Sequence, residues 1–347
     1  MSIRNTAACA LALMTLAAGP ALALDKLSLI LGQHTPPLMN TLNLVAEGAG
    51  FYKEEGLEVT TTLVDNSTLA LMTCANGKGD ICPAAIEPLV NHYDEGVRMK
   101  MFLGRESKFG NVIAVPQDSA IKSFADLKGK TIGVHSATGS AGVFTTQSAL
   151  SAAGLKPSDT KFVSIGMDKE AMGALTSGRV QAVGLPVYEL VPFEMAGAKL
   201  RVFRHPVLAD VANGGYAVAP SILATRADAI GRFSRAIVKT SLLIRYNPSA
   251  AARAMLKAQG NPADEAEVKR LAGDLAAWQD DLPAFDPDSK RIGALSQEGV
   301  QRYIQLLKDA GLSRRAIPAS EVVTDQFIAF ANDFDRKAFE TRAKAMK

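Results

Sequence analysis

DSAIKSFADLKGKTIGV, residues 118–134, is the stretch on which the fold turns. Ser123–Lys130 reads as a short helix closed by Gly129, and Thr131–Val134 as the strand that follows it. Working outward, His135–Gly142 is a loop rich in Ser, Thr and Gly, and Val143–Gly154 is a helix. Phe162–Ile165 is a strand, Asp168–Gly178 a helix and Val180–Leu185 another strand, with Asn111–Pro116 a strand ahead of the whole unit. The N-terminal side repeats the rhythm. Leu27–Leu31, Leu57–Val64 and Ile81–Ala84 read as strands, separated by helices that start near Leu42 and Thr68, and Glu87–Gly96 is helical. Strands alternating with helices at this spacing predict parallel sheets with helices on both faces.

Gly214–Ala219 reads as a strand returning to the first unit. Beyond Arg226 the chain is nearly all helix. Ala227–Tyr246, Ser249–Gln259, Glu265–Gln279, Glu298–Ala310 and Asp325–Asn332 carry apolar residues at helical spacing, with Ser249 the expected N-cap of the second. A chain of 347 residues exceeds one ordinary core. The expected organisation is therefore two lobes, residues 24–113 with 217–347 and residues 114–216.

Arg4 is the only charge before Asp25, and the run between them is nearly all Ala, Leu, Met and Thr. That pattern, ending in Ala21-Leu22-Ala23, reads as a secretory signal peptide cleaved after Ala23, with delivery to the periplasm. Gly19-Pro20 interrupt the run and no basic cluster follows it, which argues against a retained anchor. Cys9 leaves with the leader, so Cys74 and Cys82 remain, an even count in an oxidising compartment. A disulfide between them would staple a helix end to the next strand; two buried free thiols are the alternative.

Net charge is +3 with both signs dispersed, which gives no basic footprint for nucleic acid. No His or further Cys lies near the cysteine pair to make a metal site, and no cofactor is expected. Gly-x-Ser-x-Gly, HExxH and Walker motifs are missing, so binding is expected rather than catalysis.

Four ordered motifs resemble the periplasmic binding proteins for nitrate, sulfonate, taurine and thiamine-precursor pyrimidine. They are Ala46–Val59, Asn76–Ile81, the 118–134 stretch, and Leu175–Ala182 with Gln181 where an Asp is usual. The resemblance implies a type II periplasmic binding fold of two Rossmann-like lobes joined by two crossing strands. It also implies an importer role, in which a monomer captures a small polar or anionic solute and hands it to an ABC-type permease. A sensor that presents its closed form to a receptor, or a pyrimidine-synthase-like enzyme, are the alternatives. A synthase would need a Cys-rich iron-binding stretch that this chain lacks. Sulfonate binders of the family often carry Trp and Asp after the strand at 180–185; Gly184–Glu189 has neither, which argues against aliphatic sulfonate or taurine.

In open parallel sheets ligands sit beyond the carboxyl ends of the strands. The candidates are thus His34 and Thr35; Asn66 and Ser67; Ala85 and Glu87; Ser136, Thr138, Gly139 and Ser140; and Pro186, Tyr188 and Glu189. The 136–142 loop opens a helix, where free amides favour an anion. Glu87 and Glu189 are expected at the surface; facing the cleft instead, they would take an amine or ring N–H. Trp278 is expected to be a packing residue. N-terminal sequencing of protein recovered from the periplasm should begin at Leu24-Asp25, and an intact Met1 there would refute the leader assignment.

Overall fold

A computed structural model describes residues 23–32, 40–65, 67–106, 108–135, 137, 141–166, 168–209, 211–212, 214–278 and 288–347. The expected signal peptide, up to residue 22, lies outside them. No helix among the described residues is long and apolar enough to cross a membrane.

Ten strands occur in the described residues: β1 Asp25–Leu31, β2 Leu57–Leu63, β3 Cys82–Ala85, β4 Lys100–Gly104, β5 Asn111–Pro116, β6 Thr131–Val134, β7 Lys161–Ser164, β8 Ala182–Pro186, β9 Leu200–Arg204 and β10 Gly214–Val218. They form two bodies with one topology. In the first, β2 pairs with β1, and β10 lies between β3 and β4. A bridge between Leu29 and Ile81 joins these two pieces, giving the order β2-β1-β3-β10-β4. The second has the order β7-β6-β8-β5-β9.

Pairings of β1 with β2 and of β6 with β7 and β8 are parallel, as strand–helix alternation predicts. The expectation of purely parallel sheets is corrected, because β10 is antiparallel to β3 and β4, and β5 to β8 and β9. Each of these two strands arrives from the other body. No crossover helix precedes it, so nothing obliges it to run parallel. The chain passes to the second body through residues 105–110 and returns through 205–213. Strand β10 is buried at all five positions. A Cβ at Gly215 would stand 2.4 Å from the Leu103 carbonyl oxygen, so only glycine fits there.

Strands β4 and β9 escape the sequence pattern. KMFLG and LRVFR are short and carry Lys or Arg, yet Met101–Gly104 is buried and β9 is a half-buried edge. The Ser123–Lys130 helix shrinks to a single 3₁₀ turn, Ala125–Leu127, tied down by Asp126. Its carboxylate accepts the amides of Lys122 and Ser123 and the Ser123 hydroxyl, which together hold its pKa below the usual range. The Pro248–Ala258 helix is capped by Asn247 rather than Ser249. The Asn247 side chain accepts the Ala250 amide, and Pro248 takes the first helical position, where an N–H is not needed.

The Ala227–Tyr246 helix is the spine of the first body, with Phe233 stacked on Tyr52 at 5.5 Å and edge-on to Tyr216 at 5.2 Å. Trp278 is buried in this core. Cys74 and Cys82 form the disulfide, with Cα atoms 6.4 Å apart, and join the end of the Ser67–Ala75 helix to the start of β3. Both are fully buried, so the bond acts on stability rather than as an exposed redox switch. Closing this short loop restricts the unfolded chain and contributes roughly 2–3 kcal/mol. The double variant Cys74→Ala/Cys82→Ala should therefore melt several degrees lower by calorimetry under non-reducing conditions; an unchanged melting temperature would contradict this.

Candidate functional site

The carboxyl edge of the second sheet is built by neighbouring strands. Because β6 and β8 are parallel and adjacent, the residues that follow them emerge side by side. His135 follows β6, and the 3₁₀ turn Val187–Glu189 follows β8. His135 Nε2 and Glu189 Oε2 are in close hydrogen-bonded contact. Against a carboxylate, Nε2 carries the proton. Glu189 is only 8% exposed, and its Oε1 has no hydrogen-bond partner among the described residues. Beside this pair, the Ala137 amide donates to Ser164 Oγ at the end of β7, 2.9 Å away.

The first body presents two buried polar groups. Asn43 Oδ1 accepts both the Tyr52 and Tyr216 hydroxyls, at 3.2 and 3.1 Å, while its amide donates to Asn40 Oδ1. Burial raises both tyrosine pKa values and keeps the hydroxyls as donors. The second group lies beyond β3, where Glu87 is fully buried and accepts the Tyr303 hydroxyl. Burial, reinforced by the Glu87 charge, pushes the Tyr303 pKa well up.

The two crossings meet between the bodies. The Arg105 amide donates to the Gly214 carbonyl, and the Arg105 guanidinium reaches Glu106 at 3.3 Å. The Glu106 carboxylate fills the space that side chains at Gly110 and Gly214 would need; a Cβ there would come within 2.3 and 2.8 Å of it. His205, on the returning crossing, is buried. Its Nδ1 accepts the Val207 amide, so its Nε2–H donates to Ser148 Oγ at 3.2 Å. Phe109, on the outgoing crossing, meets His205 and Tyr303 edge-on, each at 5.1 Å. A continuous buried path, Ser148–His205–Phe109–Tyr303–Glu87, thus runs from one body to the other. Burial lowers the His205 pKa to about 4.

Ala85 and Pro186 close their strands, Tyr188 sits within the 3₁₀ turn, and Ser67 opens its helix. His34, Thr35, Asn66, Ser136, Thr138, Gly139 and Ser140 lie outside the described residues. Surface placement of Glu87 and Glu189 is corrected: both are buried, each against a donor far away in sequence. Sequence reasoning passed over His135, Asn43, Arg105, Glu106 and His205. Only His135 carried a readable signal, its place directly after a strand.

The profile of the family described as NMT1/THI5 like matches residues 40–251. The chain is 24% identical over 291 residues to the riboflavin-binding protein RibY of Chloroflexus aurantiacus, covering 82% of this chain and 81% of that protein. A solved structure from Bordetella bronchiseptica RB50 superposes with a TM-score of 0.64 at 22% identity, over 89% of this chain and 97% of the other. The periplasmic aliphatic sulphonate binding protein SsuA of Escherichia coli superposes with a TM-score of 0.61 at 16% identity, over 87% and 92%. At such identities the likeness shows the fold, that of the periplasmic binding proteins.

His205 makes acid sensitivity predictable. Between its folded pKa of about 4 and its ordinary value of 6.5, the unfolded chain binds the extra proton. Stability should therefore fall as pH drops through that window, by on the order of 3 kcal/mol from this group, and level off below it. Denaturant melts of His205→Gln should show a shallower loss between pH 6.5 and 4 than the parent; equal slopes would refute the assignment. Tyr303→Phe removes the donor to buried Glu87 and should destabilise by about 1–3 kcal/mol in the same assay at pH 7.

Proposed function

The chain belongs to the NMT1/THI5-like family, and from that premise we propose that it is the solute-binding component of an ABC-type importer. It works in the periplasm, is a binding protein and not an enzyme, and delivers its solute to a membrane permease. The observation that carries this reading is the exchange of central strands: among the described residues, β5 and β10 each enter a sheet from the other body, so the chain crosses between β4 and β5 and returns between β9 and β10. The bodies act as two lobes that divide near residues 113 and 216, and the solute is held between their strand ends. Bending at two short segments lets rigid lobes close without unpacking either core.

The glycines at the crossings support this. Gly110 and Gly214 give the Glu106 carboxylate room beside both segments, so the hinge is packed and polar at once. Similar proteins are named for two ligand chemistries, riboflavin for RibY and aliphatic sulfonate for SsuA. This chain acts on a small polar solute, captured as a monomer. Ligand affinity that is greater for the closed form supplies the closing energy.

Two measurements check this. A true solute at about a hundredfold excess over its dissociation constant should stabilise the mature protein by about 2.7 kcal/mol in thermal melts. Deleting the gene should abolish uptake of that labelled solute at low concentration. Unimpaired uptake in the deletion strain, with the solute still bound by the pure protein, would move the role from import to sensing.

A further inference from the structure

The lobe II edge holds a feature that the fold alone does not require. Glu189 is more than nine-tenths buried, spends one carboxylate oxygen on His135, and keeps Oε1 buried without a partner among the described residues. A buried acceptor left in that state destabilises the protein by about 1–3 kcal/mol. Such a group calls for an explanation, and a ligand that completes it supplies one. Its position fits, because Glu189 stands beyond β8 and His135 beyond the adjacent parallel β6, where ligands of open sheets bind. His135 keeps 26% of its side chain exposed, so the pair is open on one side.

We infer that His135 and Glu189 form the solute's docking point on the second lobe, and that this point accepts N–H groups. With Nε2–H directed to the carboxylate, the pair offers an aligned acceptor, Glu189 Oε1. The edge it grips is therefore a polarised N–H edge, an amine, amidine or N–H-bearing heterocycle. A sulfonate or carboxylate would set its own oxygens against a buried carboxylate, which is repulsive and unbridged. The inference rests on the solute-binding reading above and narrows it.

The same turn is tied to the hinge. The Val187 amide donates to the Gly110 carbonyl at 2.8 Å, two residues from Glu189, and Glu106 occupies the side-chain space of Gly110. A donor that engages Glu189 thereby pulls on the turn fastened to the outgoing crossing, so recognition and closure share one contact.

The test uses the mature full-length protein, titrated by calorimetry with 4-aminopyrimidine, benzamidine, riboflavin and ethanesulfonate. At least one of the three N–H probes should bind and ethanesulfonate should not. Glu189→Gln and His135→Gln should each weaken the N–H probe about tenfold or more, since a charge-assisted bond is lost in the first and its aligned acceptor in the second. The ligand-free melting temperature of Glu189→Gln should stay level or rise, because a buried charge is removed. Failure of all three N–H probes, or wild-type affinity in both variants, overturns the inference. Binding of ethanesulfonate unaffected by Glu189→Gln also overturns it, and if that binding compacts the protein in small-angle scattering, solute capture survives. A tightly bound probe that leaves the scattering unchanged counts instead against the solute-capture reading itself.

Discussion

The structure depends on an exchange of strands. Each sheet keeps a place between its third and fourth strands for a segment that the other body supplies, β5 in one and β10 in the other. These strands are among the most buried in the protein, so the first core is not complete until the chain has crossed twice. Their backbone hydrogen bonds on both sides make the insertion rigid. On the proposed reading, flexing falls to the short segments on either side of the exchange. Compactness within each body and freedom between bodies follow from the same connectivity.

Buried polar groups recur along this seam. Glu87, Glu106, Glu189 and His205 are all less than a tenth exposed, and each lies in a crossing or just beyond a strand end. Buried charge is costly unless partnered, so its recurrence at crossings and strand ends marks a region where structure serves something besides stability. Aromatic edges carry the load between the partners: Phe109 alone contacts both His205 and Tyr303. The outer face of the first lobe shows the opposite arrangement. There Lys239 is satisfied by Glu54 and Glu55, and Arg342 by Glu54, which closes a network of ion pairs.

Much of the fold was legible because local signals agreed with the tertiary answer. The Ala227–Tyr246 helix was readable to its ends from apolar spacing, and β1 and β2 from their β-branched and aliphatic runs. The cysteine pair was legible from compartment and count. What failed had no local signal. The direction of β5 and β10 depends on which body the chain is entering. Asn247 out-competes Ser249 as a cap only because Pro248 fixes where the helix starts. Glu87 and Glu189 looked like surface acids because their donors, Tyr303 and His135, stand 216 and 54 residues away. The pairing that gives Glu189 its meaning could be seen only once β6 and β8 were adjacent.

The central claim is that two preformed lobes move as units about the paired crossings when solute binds. Spin labels at Thr62→Cys and Lys169→Cys, exposed positions near strand ends of the two lobes, report that motion, since the native Cys74 and Cys82 are bonded to each other. Double electron–electron resonance should give a distance that shortens and narrows on saturation with a solute that raises the melting temperature. A label distance unchanged by such a solute would contradict the account.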